Sequence, residues 1–560
     1  MVRPVDLTFK EWCRLHVQDK ATLRPMRTKK SLVAVEMVMA PVMSDDFLGQ
    51  WLVANIAHQC AEELLHPRHA EVPANYKYLA AAMHWCPNVW ADVLIAKQTL
   101  ERLGHSSSFA AEIADVYQAD KIFVEHVLAG KCLLRADAQL PRIDSVNIAD
   151  FTRQQRYIYD YVTKQLKRRK FHRSDEEVDP EAWKDEFCVE KASFLTGGPG
   201  TGKSTLAKAI ARFAVCQGLR VRMSFPAARL QNEFRLALPE VTMGTVHSHF
   251  GIAVASNVVD WIIKEAPQDD DIWIIDEVER LPQDIIEHIL ATRAAAENWP
   301  IVLFLGDFQQ VGAIGSGSLL TIPDYRNRIE HRKLSISKRT SDPELLKYLE
   351  RLRDQAPPPR VLRELALNRT LGSVPTPEML RELFVDTPVP PTILTVTNAG
   401  ADDVNAAVLA LLGARVPGAR EVHVFNRHQK LRKLLLFPSA VVMITLNKDI
   451  KKGLMNGCVA LVVELLARSV VLQLADDRIV SLPLTRLRKG GRLLEGFSLA
   501  GGYAMTIHKA QGLTLSSVVV FWDNPRAQPG LGYTALSRVK RLKDLAFIGE
   551  MTCQHFLPAQ

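Results

Sequence analysis

The feature that most constrains this chain is the octapeptide at residues 197–204, Gly-Gly-Pro-Gly-Thr-Gly-Lys-Ser. It follows an apolar run, ASFLT, and precedes a helical pattern, TLAKAIARFAV. This is the G-x-x-x-x-G-K-[ST] motif in the strand–loop–helix setting that it requires. Its glycines let backbone N–H groups surround phosphates, and the dipole of the following helix adds positive charge. An incidental glycine-rich turn would lack this setting, so the motif predicts a nucleotide-binding α/β domain.

The residues of this loop divide the binding of ATP and its metal between them. We expect Lys203 to neutralise the β- and γ-phosphates, and the Ser204 hydroxyl to bind Mg²⁺. The predicted nucleotide-binding set in the loop is Gly197, Gly198, Pro199, Gly200, Thr201, Gly202, Lys203, Ser204 and Thr205.

Two further apolar runs end in polar residues suited to phosphoryl transfer. The run WII at 273–275 ends in Asp276 and Glu277. A carboxylate at a strand end can hold Mg²⁺, the role expected for Asp276, and Glu277 can polarise the attacking water. The run IVLFL ends in GDFQQ, whose Gln310 can sense the γ-phosphate. These residues predict a nucleoside triphosphatase and leave open what its hydrolysis drives.

Alternating β and helical patterns organise most of the chain. At 560 residues the chain is too long for a single hydrophobic core. The alternation covers 191 to about 325, resumes between about 330 and 450, and returns after 498, which is typical of parallel α/β sheets. Between these stretches, residues 458–484 alternate apolar and polar side chains around short turns. That pattern predicts a small β-barrel insertion.

Charge and cysteine content limit the class of protein. Lys and Arg total 70 against 62 Asp and Glu, a net charge of +8. This suits a polyanion partner but does not by itself identify a nucleic-acid enzyme. No C-x-x-C pair occurs among the eight cysteines, so neither a zinc ribbon nor a redox motif is predicted. With no signal peptide and no apolar run near about 18 residues, we expect a soluble cytoplasmic or nuclear protein without a membrane partner.

Some features of the N-terminal part have two interpretations. Core packing is favoured over exposed binding surfaces for three tryptophans, Trp51, Trp85 and Trp90. Two His-x-Cys pairs fit no common zinc-site spacing, namely His58 with Cys60 and His84 with Cys86. The basic run at 167–170 and the acidic stretch at 174–181 favour a solvated linker over a DNA-contacting patch.

Two motifs near the end of the chain indicate what hydrolysis drives. Residues 504–514 read AMTIHKAQGLT, and residues 533–538 read YTALSR. Together with GGPGTGKS and GD-x-x-Q they resemble motifs V and VI of superfamily 1 helicases, in the branch of RecD, the Pif helicases and phage Dda. The resemblance extends from about residue 147 to about residue 549. It implies two RecA-like cores that translocate on single-stranded DNA, 5′ to 3′ in that branch.

The resemblance also implies roles for individual residues. Gln155 is similar to the glutamine that reads the adenine edge. Arg339 and Arg538 resemble arginines that face the γ-phosphate from the second core, where negative charge develops in the transition state. Nucleic-acid contacts are implied for residues of motif Ia, the segment after it and motif V: Pro226, Arg229, Thr245, His247, Thr506, His508 and Lys509.

Three segments depart from the pattern of that branch. Ser224-Phe225-Pro226 replaces the usual A-P-T before the alanines of motif Ia. After the Asp-Glu pair the branch has small residues, whereas this chain has Val278-Glu279-Arg280. Motif VI has Leu531-Gly532 instead of Gly-Gln before its tyrosine. None of these changes removes a phosphate-contacting group.

We therefore predict an α/β protein with two RecA-like P-loop cores, an SH3-like β-barrel insertion in the second core and a mainly helical N-terminal domain. The predicted division is 1–145, helical domain; 146–328, first core; 329–454 with 498–560, second core; and 455–497, insertion. The predicted function is an ATP- and Mg²⁺-dependent DNA helicase acting on single strands and duplex junctions in replication, recombination or repair. A viral-type RNA helicase is one alternative, although the His508-Lys509 pair favours DNA. The other is a helicase subunit whose residues 1–145 dock a protein partner.

Overall fold

The computed structural model describes most of the chain from residue 148 onwards and parts of what precedes it. The described residues are 16–19, 22–25, 48–49, 52–53, 56, 61–85, 107–129, 148–174, 191–252, 270–312, 322 and 325–559, except 236, 239, 297, 298, 338, 339, 341, 388, 415, 427, 428, 451, 490 and 491.

Helices and strands are numbered here in chain order. The helices are α1 (Lys77–Trp85), α2 (Ser107–Leu128), α3 (Arg153–Ser174), α4 (Lys203–Cys216), α5 (Asn232–Arg235), α6 (Val246–His249), α7 (Gln283–Ala295), α8 (Tyr325–Arg328), α9 (Pro343–Asp354), α10 (Pro359–Ala366), α11 (Pro377–Phe384), α12 (Asn398–Gly413), α13 (Ile507–Ala510) and α14 (Leu531–Leu536). The strands are β1 (His16–Asp19), β2 (Thr22–Pro25), β3 (Ala192–Gly197), β4 (Val221–Phe225), β5 (Thr242–Thr245), β6 (Ile272–Ile275), β7 (Ile301–Gly306), β8 (Ile329–Leu334), β9 (Thr370–Gly372), β10 (Thr392–Thr395), β11 (Arg420–Phe425), β12 (Leu431–Leu436), β13 (Val441–Ile444), β14 (Val459–Leu465), β15 (Ser469–Leu474), β16 (Ile479–Pro483), β17 (Thr485–Lys489), β18 (Arg492–Gly496), β19 (Leu499–Gly501), β20 (Ala504–Thr506), β21 (Val518–Phe521) and β22 (Leu545–Ile548).

The first sheet carries the nucleotide-binding motifs. Its strands are all parallel, in the order β5-β4-β6-β7-β3-β8. Strands β3, β6 and β7 are buried along their whole length, as expected for a parallel sheet covered on both faces. They confirm the three strands that the runs ASFLT, IWIID and IVLFLGD predict. Strand β8 pairs with β3, so this sheet extends beyond residue 328, where the sequence placed the end of the first core.

Helices cover both faces of this sheet. On one face, Leu206 and Ile210 of α4 pack with Leu195 and Leu303, and α3 joins the same cluster through Ile158. Large apolar side chains from β3, β6, β7 and α7 cover the opposite face, namely Phe194, Trp273, Phe304, Ile285 and Ile289. Successive residues of each strand therefore point to opposite faces, and both faces are apolar.

A second parallel sheet lies in the same compact unit, which comprises residues 141–414, 455–457 and 501–560. Its order is β20-β10-β21-β22-β9. The buried side chain of Asn405 joins α12 to this sheet, because it donates to the Ala504 carbonyl at 2.9 Å and accepts from the Tyr503 amide at 2.9 Å. Two parallel α/β sheets fit the two predicted RecA-like cores.

The other compact unit comprises residues 1–140, 415–454 and 458–500. Its main sheet has the order β16-β15-β14-β13-β19, with antiparallel pairs from β13 to β16. The alternation at 458–484 is thus confirmed as antiparallel strands. The sheet also includes β13, which precedes residue 455, the predicted start of the insertion. Closure of these strands into an SH3-like barrel stays a prediction.

Within this unit, the N-terminal helices share a hydrophobic core with the sheet. Tyr76 and Phe123 are fully buried and belong to one cluster with Val471 and Ile479. The Tyr76 hydroxyl accepts a hydrogen bond from the Ser481 amide at 2.9 Å. An apolar helix face and an apolar sheet face bury each other. The sequence treated these segments as two domains, because periodicity does not reveal packing between distant segments.

A buried ion pair crosses the same core. Asp120 on α2 is paired with the ammonium group of Lys452, and both side chains are almost entirely buried. The ammonium group also lies 4.6 Å from the centre of the Tyr76 ring. Asp449 is a weaker partner, with its carboxylate 4.0 Å from the same nitrogen.

The remaining N-terminal expectations have mixed outcomes. Trp85 is 44% exposed and its indole N–H donates to the Leu64 carbonyl at 2.9 Å, so core packing is wrong for this residue. His84 is exposed, and the other members of the His-x-Cys pairs lie outside the described residues, as do two tryptophans: His58, Cys60, Cys86, Trp51 and Trp90. No helix in the described ranges is long and apolar enough to cross a membrane.

The basic run at 167–170 lies in helix α3 and does not form a linker. Arg169 is buried and donates to the Trp299 carbonyl, so at this position the solvated interpretation is wrong. The side chain is drawn inwards because the helix packs on the first sheet. Of the acidic stretch at 174–181, residues 175–181 lie outside the described residues.

We predict that Asp120→Asn lowers the free energy of unfolding by about 3 kcal/mol, because it leaves the Lys452 ammonium buried without its main counter-charge. Urea unfolding followed by circular dichroism measures this loss. The matched control is Glu421→Gln, which breaks an exposed pair with Lys433 and should change stability little. Equal losses in the two variants would contradict the buried pair.

Candidate nucleotide-binding cleft

The phosphate-binding loop connects β3 to α4. Gly200 and Gly202 have φ values of 74° and 82°, in the left-handed region that favours glycine. The Lys203 ammonium donates to the carbonyls of Gly197 at 2.6 Å and Gly198 at 3.3 Å, so its charge lies across the loop. The predicted strand–loop–helix setting is confirmed, and the loop places a cation and a helix N-terminus together, as a phosphate site requires.

Gln155 supports this loop from α3. Its side chain is almost completely buried, its amide nitrogen donates to the Thr201 carbonyl at 2.9 Å, and its amide oxygen accepts from the Thr152 amide at 2.8 Å. A Cβ atom at Gly202 would lie 2.2 Å from that amide nitrogen. Gln155 therefore holds the loop in shape, and its predicted contact with adenine stays a prediction.

The acids expected to act on the nucleotide follow β6. Asp276 is buried and its carboxylate accepts from the Glu277 amide at 2.9 Å. Glu277 has a φ of 54°, a conformation that non-glycine residues seldom adopt and that active sites often hold. Ser204 lies in the first turn of α4. A hydroxyl and a carboxylate are the oxygen ligands that Mg²⁺ prefers, and nucleotide phosphates would add more.

A third acid, Glu279, also lies in the cleft, and the sequence analysis gave it no role there. Glu279 is buried, and its carboxyl group accepts a hydrogen bond from the side-chain amide nitrogen of Gln511 at 2.7 Å. The same side-chain nitrogen lies 3.2 Å from a carboxylate oxygen of Glu277. Glu277 and Glu279 also hydrogen bond to each other. Burial, and then the negative charge of Glu277, raise the pKa of Glu279 well above its usual range. Burial and the charge of Glu277 therefore favour the protonated form of Glu279.

The Glu277 carboxyl responds in the opposite direction. Burial acts to raise its pKa, but the hydrogen bond with Glu279 and the positive charge of Lys203 outweigh burial and lower it. Glu277 is therefore ionised, as a group that orients water must be.

Residues in and just after helix α14 complete the cleft. Arg538 is 1% exposed and donates to the Gln310 side-chain oxygen at 3.1 Å and to the Thr534 carbonyl at 2.9 Å. The Tyr533 hydroxyl donates to the Asp307 carboxylate at 3.3 Å. Residues after β7 of the first sheet thus meet residues in and just after α14, which lies between β21 and β22 of the second sheet. The other expected arginine, Arg339, lies outside the described residues.

The predicted nucleic-acid residues of the first core lie after β4 and β5. The guanidinium group of Arg229 donates to the Gln511 carbonyl at 3.3 Å, and Pro226 precedes it in the same segment. The Thr245 hydroxyl accepts from the Ser248 amide and so caps α6. His247 lies on that helix, and burial lowers its pKa.

Motif V supplies the predicted contacts from the second core. Thr506 is buried at the end of β20, whereas His508 and Lys509 are partly exposed on α13. An imidazole nitrogen of His508 lies 2.8 Å from the Gln528 side-chain oxygen. Strand contact by these residues and by those of the first core stays a prediction. The structure does bring motif Ia and motif V together through Arg229.

Comparison with known proteins agrees with the helicase resemblance of the sequence. A family model described as an AAA domain matches residues 184–375. The ATP-dependent RecD2 DNA helicase of Deinococcus radiodurans is 27% identical over 368 residues, covering 64% of this chain and 47% of that protein, so the chain spans about half the length of this relative. The ATP-dependent DNA helicase Pif1 of Bdellovibrio bacteriovorus is 24% identical over 398 residues, covering 64% of this chain and 84% of that protein.

A solved structure shares the fold. Pif1 helicase from Bacteroides, in complex with ADP-AlF3 and single-stranded DNA, has a TM-score of 0.51 at 20% identity. The match covers 69% of this chain and 95% of the Bacteroides chain.

We predict that Gly202→Ala destabilises the protein and abolishes nucleotide binding, because a Cβ would strain the backbone and displace Gln155. The matched control is Gly218→Ala, which has a φ of 76° but no atom within 4 Å of a Cβ. It should lose only the roughly 1–2 kcal/mol that a left-handed backbone costs. Titration with a fluorescent nucleotide and thermal unfolding compare the two. Normal nucleotide affinity in Gly202→Ala would show that the loop does not depend on this packing.

Proposed function

Since the chain belongs to the RecD- and Pif-like branch of superfamily 1 helicases, we propose that it is an ATP-driven motor that translocates on single-stranded DNA and opens duplex junctions. The observation that carries this proposal is the 3.1 Å contact between Gln310 of the first sheet and Arg538 of the second. A γ-phosphate at the loop would lie where both sheets supply polar groups. Binding and loss of that phosphate can therefore change how the two sheets meet.

The relatives support DNA as the track. The RecD2 and Pif1 relatives are both named as ATP-dependent DNA helicases, and the Bacteroides structure holds single-stranded DNA. Movement from 5′ to 3′, and a place in replication, recombination or repair, follow from the branch resemblance. Single-strand binding of this kind combines contacts to phosphates with base stacking, so it should weaken as salt rises.

In the proposed hydrolysis step, the backbone N–H groups of the loop and the Lys203 ammonium hold the phosphates. Ser204 and Asp276 would bind Mg²⁺, which supplies further neutralisation of the phosphate charge. Glu277 orients the attacking water and accepts its proton. The guanidinium of Arg538, from the second core, adds to the charge of Lys203 and stabilises the negative charge that develops on the transferring group.

Translocation follows if the two cores hold the strand in turn. Arg229, Thr245 and His247 would contact it from the first core, and His508 and Lys509 from the second. ATP draws the second core onto the loop through Arg538, and release of phosphate loosens that contact. Each cycle then advances one set of contacts relative to the other.

The direct test is ATP hydrolysis by the purified chain with single-stranded DNA, with RNA and with neither. We expect DNA to raise the rate several-fold, because the strand helps to hold the two cores together. Lys203→Ala should remove hydrolysis under all three conditions and so serves as the control for contaminating ATPases. Stronger stimulation by RNA would favour the RNA helicase, and a rate unaffected by either polymer would contradict the motor.

Arg538→Ala tests the two-core mechanism. We expect hydrolysis to fall roughly 10³-fold or more while nucleotide affinity stays within about tenfold, because an arginine of this kind acts mainly on the transition state. Arg541→Ala, which removes an exposed arginine paired with Asp544, is the control and should retain activity. Single-turnover hydrolysis and nucleotide titration measure the two quantities. Near-normal hydrolysis by a folded Arg538→Ala protein would exclude this role.

A further inference from the structure

Glu279 is a buried acid to which the hydrolysis step described above gives no role. Its carboxyl group accepts from the Asp307 amide at 3.2 Å and from the Gln511 side chain at 2.7 Å, and it hydrogen bonds to Glu277. All three partners lie in the cleft. A carboxylic acid in such a position costs free energy unless its hydrogen bonds are satisfied. Its contacts therefore act directly on the group that must orient water.

Those contacts restrict Glu277. A carboxylate accepts hydrogen bonds through a few lone-pair positions on two oxygens. In this structure Glu279 occupies one, and the Gln511 amide nitrogen, 3.2 Å away, occupies another. Glu277 is thus held in an orientation that leaves fewer of its acceptor positions for a water molecule, which disfavours hydrolysis.

Gln511 connects this arrangement to the predicted strand contacts. It follows α13, which carries Lys509, and its backbone carbonyl accepts from the Arg229 guanidinium at 3.3 Å. Arg229 and Lys509 are predicted to contact nucleic acid from opposite cores. A strand that binds both would compete with the Arg229 contact and move the segment that carries Gln511.

We propose that Glu279 is a positioning residue which, together with Gln511, restrains Glu277 in the absence of a strand, and that strand binding releases Glu277 by displacing Gln511. The proposal rests on the proposed function for its release step. It explains how a folded cleft with a complete phosphate loop would hydrolyse ATP slowly until it is on its track.

The test measures steady-state ATP hydrolysis by the full chain without nucleic acid. Glu279→Ala should raise kcat about tenfold, the effect of removing a hydrogen bond to a charged group, with little change in KM for ATP. In Glu279→Gln the amide nitrogen can replace the donor to Glu277, but only one of the two oxygens that accept from Gln511 and from the Asp307 backbone N–H is kept. Its rate should therefore rise less than that of Glu279→Ala.

Gln511→Ala removes the second residue that restrains Glu277. If Glu279→Ala does not fold, the result for Gln511→Ala alone tests the restraint. Gln511→Ala should raise the strand-free rate as well, and the double variant should add little, because both residues act on Glu277 together. A strand-free rate at or below the wild-type rate in the folded variants would overturn the restraint. An increase in Glu279→Gln equal to that in Glu279→Ala would also overturn it.

The release step is tested by measuring the rate of ATP hydrolysis at increasing concentrations of single-stranded DNA. Wild type and Glu279→Ala should approach the same rate at saturating DNA, so the variant shows less stimulation. If the variant keeps the full wild-type stimulation, release through Gln511 is wrong. The restraint is judged from strand-free rates and the proposed function from the effect of DNA on the wild type, so the two can fail separately.

Discussion

The arrangement of the cleft depends on parallel pairing in the first sheet. Parallel strands bring their carboxyl ends to one edge, so the segments after β3, β6 and β7 must lie together. The phosphate loop, Asp276 and Asp307 begin at these three ends, with β7 between the other two strands. Continuous apolar burial of the strands keeps this edge rigid. The core beneath this edge fixes where the polar segments begin, and hydrogen bonds among their side chains then orient them.

The second sheet supplies what the first lacks at that edge. Motif VI places Arg538 on Gln310 and Tyr533 on Asp307, while motif V places Gln511 on two acids. Each of these contacts joins one sheet to the other, and each is buried and polar. Buried polar contacts are costly when broken, so under the proposed function a change at the γ-phosphate would be transmitted to the second core through these contacts.

The parts that could be predicted from the sequence are those encoded locally. The phosphate loop with its strand and helix, and the strands ending at Asp276 and Asp307, follow from apolar runs beside a motif. Pairing of β8 with the first sheet, and the ion pair of Asp120 with Lys452, could not be predicted, because their members are far apart in sequence. Glu279 was visible as a departure from the branch pattern. Its partner Gln511 was not, since nothing local to either residue relates them.

The core shared by the N-terminal helices and the β-sheet has a consequence for how the chain is made. Tyr76 and Phe123 leave the ribosome long before Val471 and Ile479, with which they pack. Roughly 300 residues separate the helices from β13, the first strand of that sheet, which is about 15 to 60 s of synthesis at 5–20 residues per second. During that interval the helices exist without the sheet on which they pack, and their apolar face is open to contacts with the nascent chain or with a chaperone. A faster ribosome shortens this exposure, so we expect translation speed to affect the yield of folded protein.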